Sequence, residues 1–80
     1  MKYRCHCCGF ATLTENPKDL TYEICPVCFW ENDPLQNDTP NYSGGANAIS
    51  LDKAKENYAI FGAVEERFVH IVRQPKEEEI

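Results

Sequence analysis

Two short cysteine pairs constrain this chain more than any other feature: Cys5 and Cys8 with two residues between them, then Cys25 and Cys28 with the same gap, and sixteen residues from Gly9 to Ile24 separating the pairs. The pattern C-x2-C-x16-C-x2-C falls inside the window for a tetrahedral zinc site, which needs four soft ligands delivered from two tight turns that folding brings together. Each two-residue gap is short enough to aim both thiolates at one ion while backbone N–H groups face the sulfurs. Pro26 and Gly9 suit such turns, Pro26 by restricting the backbone after Cys25 and Gly9 by permitting a positive dihedral after Cys8. Cys5, Cys8, Cys25 and Cys28 are therefore the expected metal ligands. Cys7 is the spare thiol, since only Cys5 and Cys8 reproduce the gap seen in Cys25 and Cys28. His6, at the centre of the first turn, is expected to point away from the ion.

Four cysteines leave no open coordination position, so the expected role of the metal is structural and catalysis at it would require a ligand to be lost. Iron is the rival, because a four-sulfur tetrahedron also suits iron and would then carry electrons in the manner of a rubredoxin. A Cys-x-x-Cys pair also occurs in thiol oxidoreductases, and a redox role for Cys7 would require that sulfur to be exposed and activated. The strand–helix–strand surroundings of that chemistry are missing. His70 has no constellation around it that would make it a catalyst. Glu23, Glu31, Asp33 and Asp38 lack calcium-loop spacing, and Gly44-Gly45 lacks the pattern of a phosphate loop.

Eighty residues make one domain whose apolar core alone is marginal, so a staple is expected. Zinc supplies roughly 10–16 kcal/mol of apparent binding free energy in zinc-finger peptides. The net charge is −5 and the eight basic residues are scattered singly, which argues against nucleic acid as the main partner. Five cysteines cannot all pair within one molecule, and no apolar run is long enough for a signal peptide or a membrane span. A reducing, cytoplasmic setting follows as the expectation, and there closely spaced cysteines are more often ligands than disulfides.

Residues 10–14 and 20–24 alternate with a period of two around the turn-forming Glu15-Asn16-Pro17-Lys18-Asp19, which predicts a β-hairpin joining the two cysteine turns. From Phe29 to Asn47 the chain reads as a long irregular loop, pinned by Phe29, Trp30, Leu35 and Tyr42. Ser50 offers a helix N-cap, Leu51, Ala54, Tyr58 and Phe61 form one face, and Gly62 offers a stop. A short helix over 63–69 leading into an extended segment is expected next. The fold class is thus a small metal-bound α+β domain of zinc-ribbon or rubredoxin type: a hairpin with two cysteine knuckles, a long loop and one or two C-terminal helices, spanning residues 1–75. Residues 76–80 read as a disordered acidic tail.

These residues together resemble the cysteine-rich CPCC family of small, mostly bacterial proteins. The resemblance runs from Tyr3 and Cys5-His6-Cys7-Cys8-Gly9-Phe10 through Tyr22-Glu23-Ile24-Cys25-Pro26-Val27-Cys28-Phe29-Trp30-Glu31-Asn32-Asp33-Pro34 and Gly44-Gly45-Ala46-Asn47. It continues through Ser50-Leu51 to Phe61-Gly62-Ala63 and the stretch before Pro75. In one departure, His6 stands where the name-giving motif has proline. The resemblance implies a small zinc-ribbon-like metal domain and no established enzymatic activity. The expected function is a cytoplasmic metal-binding module that meets a protein partner through the aromatic and acidic loop Phe29 to Tyr42, with no catalytic residues.

Overall fold

Each cysteine pair folds into the same closed turn, and the rest of the chain is arranged on the two turns. In the computed structural model, which describes residues 2–80, the Cys5 amide donates to Phe10 O at 3.0 Å and the Gly9 amide to Cys5 O at 2.9 Å. The second knuckle repeats this, with the Cys25 amide on Trp30 O at 2.9 Å and the Phe29 amide on Cys25 O at 2.8 Å. Both turns close through a left-handed residue, Gly9 at φ 80° and Phe29 at φ 74°. Glycine adopts that region freely, whereas Phe29 needs compensation. Its ring supplies some by stacking on Phe68, with centroids 4.5 Å apart.

The predicted hairpin between 10–14 and 20–24 does not form. Among the described residues the β pairing consists of two isolated antiparallel bridges, Tyr3 with Leu13 and Ile24 with Glu31. Each bridge closes the chain around its own knuckle. The alternating segments have therefore spent their pairing on knuckle neighbours rather than on each other. What joins them instead is the Glu23 carboxylate, which accepts from the Thr14 amide at 2.9 Å, the Thr14 hydroxyl at 2.9 Å and the Glu15 amide at 3.1 Å.

The segment expected to be irregular contains a short helix, α1, at Pro34–Asp38. Asp33 starts it: its Oδ1 accepts from the Leu35 and Gln36 amides, and Pro34 occupies the first helical position, where its missing N–H is no loss. The other Asp33 oxygen accepts from the Ala46 amide at 2.9 Å, which folds the Gly-Gly segment back on the helix. Gln36, fully buried, sends its Nε2 among the carbonyls of Tyr42, Asn47 and Ile49, and its Oε1 accepts from Asn47. Asn47 in turn pairs with both the amide and the carbonyl of Glu31. Among the described residues, no buried side-chain nitrogen or oxygen lacks a partner. A loop interior built from amides is stable only when so satisfied.

Helix α2, Leu51–Phe61, forms as its caps dictate. Ser50 Oγ accepts from the Lys53 amide, and Gly62, at φ 82°, ends the helix while its amide donates to Tyr58 O. Leu51 and Ala54 are buried and Tyr58 packs against the core, whereas Phe61, expected on the same face, is 40% exposed. Of the expected helix over 63–69, a single 3-10 turn at Glu66–Phe68 is formed. Backbone contacts explain the difference: the Val64 amide is drawn to Cys28 O at 2.9 Å and the Arg73 amide to Pro26 O at 3.1 Å. The chain here is laid over the second knuckle rather than coiled on itself.

Residues 76–80, expected to be a disordered tail, are docked. They carry a 3-10 turn at Glu77–Glu79, and Glu79 is 3% exposed. Its carboxylate pairs with the Arg73 guanidinium at 2.8 and 2.9 Å and accepts from the Lys76 amide, while its carbonyl accepts from the Ala11 amide at 2.7 Å. Charge density favours disorder only when the charges have no partner, and here Arg73 provides one. No helix among the described residues is long and apolar enough to cross a membrane.

Candidate metal centre

The core of this chain is built on its cysteines. Cys5, Cys7, Cys25 and Cys28 lie in one buried cluster with Leu13, Val27, Trp30, Leu51, Ala54 and Val64, and Cys8 packs against it. Within that cluster the sulfurs of Cys5, Cys8, Cys25 and Cys28 all lie within 4.8 Å of one another. Cys5 faces Cys28 at 3.6 Å and Cys8 faces Cys25 at 3.7 Å. The first cysteine of each knuckle thus meets the second of the other, as two like turns do across an approximate two-fold axis. A disulfide bond would need about 2.05 Å. A tetrahedron with metal–sulfur bonds near 2.3 Å has edges of about 3.8 Å. The observed separations fit a four-sulfur metal cage and not covalent pairing, and all five cysteines are free thiols.

The knuckles also supply the donors that such a cage needs. Four thiolates around a divalent ion carry a net charge near −2, which hydrogen bonds to sulfur disperse. The Cys7 amide points at Cys5 Sγ and the Trp30 amide at Cys28 Sγ, each at 3.4 Å. Cys25 receives a side chain instead: the Thr12 hydroxyl lies 3.0 Å from its sulfur and donates to it once the sulfur is a thiolate. Without a cation the four thiols share their protons unequally. Hydrogen bonds from Cys28, Cys5, Cys8 and Thr12 hold Cys25 far below the ordinary thiol range, and Cys28 and Cys5 are pushed up, chiefly by their bonds to Cys25. A bound cation removes that inequality by favouring the thiolate at all four positions. The Tyr58 hydroxyl is pushed up to about 12, by burial first and then by the charge of the neighbouring cysteines, Cys8 foremost.

The four expected ligands are therefore the four residues that folding brings together. Cys7 is 8% exposed and stands beside the cage, contributing its amide rather than its sulfur to the donor set. Its burial removes the exposure that a redox role requires. His6 points away as expected: it lines an open cavity of about 280 Å³ with Pro17, Lys18, Pro34, Asn37 and Asp38. Asp33, considered above within an acidic loop, is instead the cap of α1. His70 is exposed.

Thr12 is the residue that sequence reasoning missed. It lies in the segment read as a strand, where its hydroxyl appeared only as β propensity. Contact with Cys25, thirteen residues away, depends on how the first knuckle closes.

A search of curated proteins returns no match. The sequence pattern that does match is one of small cysteine-rich chains, and it extends well past the two knuckles, through the buried amide loop and α2 to the docked turn at Glu77–Glu79. The model of the family described as Cysteine-rich CPCC covers residues 3–79, and the chain belongs to that family.

Proposed function

We propose that this chain is a cytoplasmic protein-interaction module held in shape by one zinc ion on Cys5, Cys8, Cys25 and Cys28. The observation that carries the metal is the sulfur geometry: edges of 3.6 and 3.7 Å between two knuckles whose amides and one hydroxyl point at the sulfurs. A cage with four protein ligands stabilises a fold and leaves no position for substrate, so the module is not an enzyme. The partner surface is smaller than the expected loop. Trp30 is buried at 1% exposure and donates its Nε1–H to Asn37 at 3.1 Å, which leaves Leu35 and Tyr42, 57% and 41% exposed, as the apolar contacts of that region.

Metal analysis of protein purified without added metal tests the first half, with about one zinc per chain expected. A red, iron-stoichiometric product would replace zinc by the electron-carrying reading. The second half is tested by Leu35→Glu with Tyr42→Ser, which should leave metal content and melting unchanged and abolish co-purification of a partner that the unaltered chain retains.

A further inference from the structure

The segment 20–24, which leads into the second knuckle, pairs along one side only. On that side the Thr21 carbonyl accepts from Asn32 Nδ2 and the Glu23 carbonyl from the Asn32 amide, both at 2.9 Å, and the Cys25 amide donates to Trp30 O. The odd-numbered residues thus turn their backbone inward, and in an extended chain the residues between them turn theirs out. Among the described residues, neither the amide nor the carbonyl of Tyr22 or Ile24 is bonded within the chain. The side chains beside this open edge are apolar: Leu20, Tyr22 and Ile24 are 85%, 55% and 43% exposed. Exposed edges are ordinarily blunted by an outward charge, a proline or a bulge. Here the one charged residue of the segment, Glu23, is turned onto the Thr14 hydroxyl and the amides of Thr14 and Glu15.

We propose that this edge is a self-association site, at which a second copy of the chain pairs antiparallel through 20–24 and closes a two-fold dimer. Outward amides and carbonyls in alternation are matched by another extended backbone. The apolar side chains are self-complementary about Tyr22. In the register that sets Tyr22 against Tyr22, Leu20 of each copy lies opposite Ile24 of the other, and all three side chains are covered. The adjacent register, with Leu20 against Tyr22, places Ile24 against Lys18 instead. In the favoured register the Tyr22 amide and carbonyl exchange bonds with their own counterparts. The inner side of the segment is already held by Trp30 and Asn32, so pairing stops at two copies and does not run on into a fibre. Five residues a side compare with the roughly 20–30 of a standard interface, so the dimer is transient and forms near about 1 mM. The pairing holds whichever metal the cage takes.

Sedimentation equilibrium of the metal-loaded full chain between about 20 µM and about 2 mM should show the mass rising toward that of a dimer. Over the same range the amide resonances of Tyr22 and Ile24 should move, and those of Leu35 and Tyr42 should stay in place. An isotope-mixed sample should give contacts between Leu20 of one copy and Ile24 of the other. Tyr22→Pro removes an outward N–H that has no partner within the chain, on an edge where proline is tolerated, and should abolish the rise in mass with metal content unchanged. Leu20→Lys is the second variant, at a side chain too exposed to support the fold, and should weaken pairing about tenfold. A chain that stays monomeric at the highest concentration, or that pairs with the Tyr22 and Ile24 amides unmoved, overturns the inference. In the first case an extended segment of a different protein is left as the occupant of the edge. The resonances of the unaltered chain decide the point even where Tyr22→Pro fails to fold.

Discussion

Gly45 shows how much a single position can be asked to do. A methyl group built on it would lie 2.5 Å from the Asp33 carboxylate and 2.9 Å from the Gln36 side chain. Those two side chains cap α1 and fill the loop interior, so neither can retreat without leaving polar groups unpaired. Gly45→Ala should therefore destabilise the metal-loaded protein by about 1–3 kcal/mol, as small-to-large changes in tight sites do. Gly9 is the useful contrast, because a methyl group there meets nothing within 4 Å and the penalty is conformational alone. Gly9→Ala should cost about 1 kcal/mol through its positive φ. Urea unfolding of both variants checks the pair, and a Gly45→Ala protein as stable as Gly9→Ala would refute the close-approach argument. The need at Gly9 could be read from the turn it follows. The need at Gly45 could not, because the atoms it must avoid belong to residues nine and twelve positions earlier in the chain.

Among the elements, α2 was legible because its determinants are local: a serine cap, a three-and-four spacing of apolar residues and a glycine stop. Helix α1 was not, since five residues carry too little periodicity to signal a helix and its stability comes from Asp33, Gln36 and Asn47 acting across the loop. Alternation in 10–14 and 20–24 was real, but alternation does not name the partner strand, and each segment found its own knuckle. The docked turn at Glu77–Glu79 carries the pH dependence at this scale. Hydrogen bonds from Arg73 and then from the Lys76 amide hold Glu79 down to about 2, against an ordinary value of 4.5. A carboxyl whose pKa is lowered by folding stabilises the native state in full above its unfolded pKa, and that contribution is lost as pH falls from about 4.5 through about 2. Glu79→Gln should be less stable than the unaltered protein at pH 7, with the gap narrowing once pH drops below about 4.5. Urea titrations of the two proteins in parallel measure this as a difference, in which metal loss common to both cancels. A gap that is constant with pH would remove the ion pair from the account.

The whole molecule measures 31 × 28 × 16 Å. A helix with its side chains is about 10–12 Å across, so the short dimension holds little more than one helix and one layer of loop. The described residues bury one apolar core, and four of the five cysteines are part of it. The four-cysteine site was legible at once because its spacing is a property of the sequence. The amide-lined loop and the C-terminal cover were not, as both rest on contacts between residues far apart in the chain. Removing the metal should accordingly unfold the protein rather than loosen it. Far-UV circular dichroism on adding a strong chelator should show loss of the α2 signal, and Cys25→Ser or Cys28→Ser should reproduce that loss without chelator. Retention of the native spectrum by the metal-free chain would exclude a structural role for the ion.

The backbone ties at Val64, Arg73 and Glu79 also set an order in time. All four sulfurs have been synthesised by residue 28, whereas the segment that lies over them begins at residue 64. The four-cysteine cluster is thus complete in the chain before its C-terminal cover exists, and in the finished protein Cys8 is the sulfur of the four left partly open to solvent.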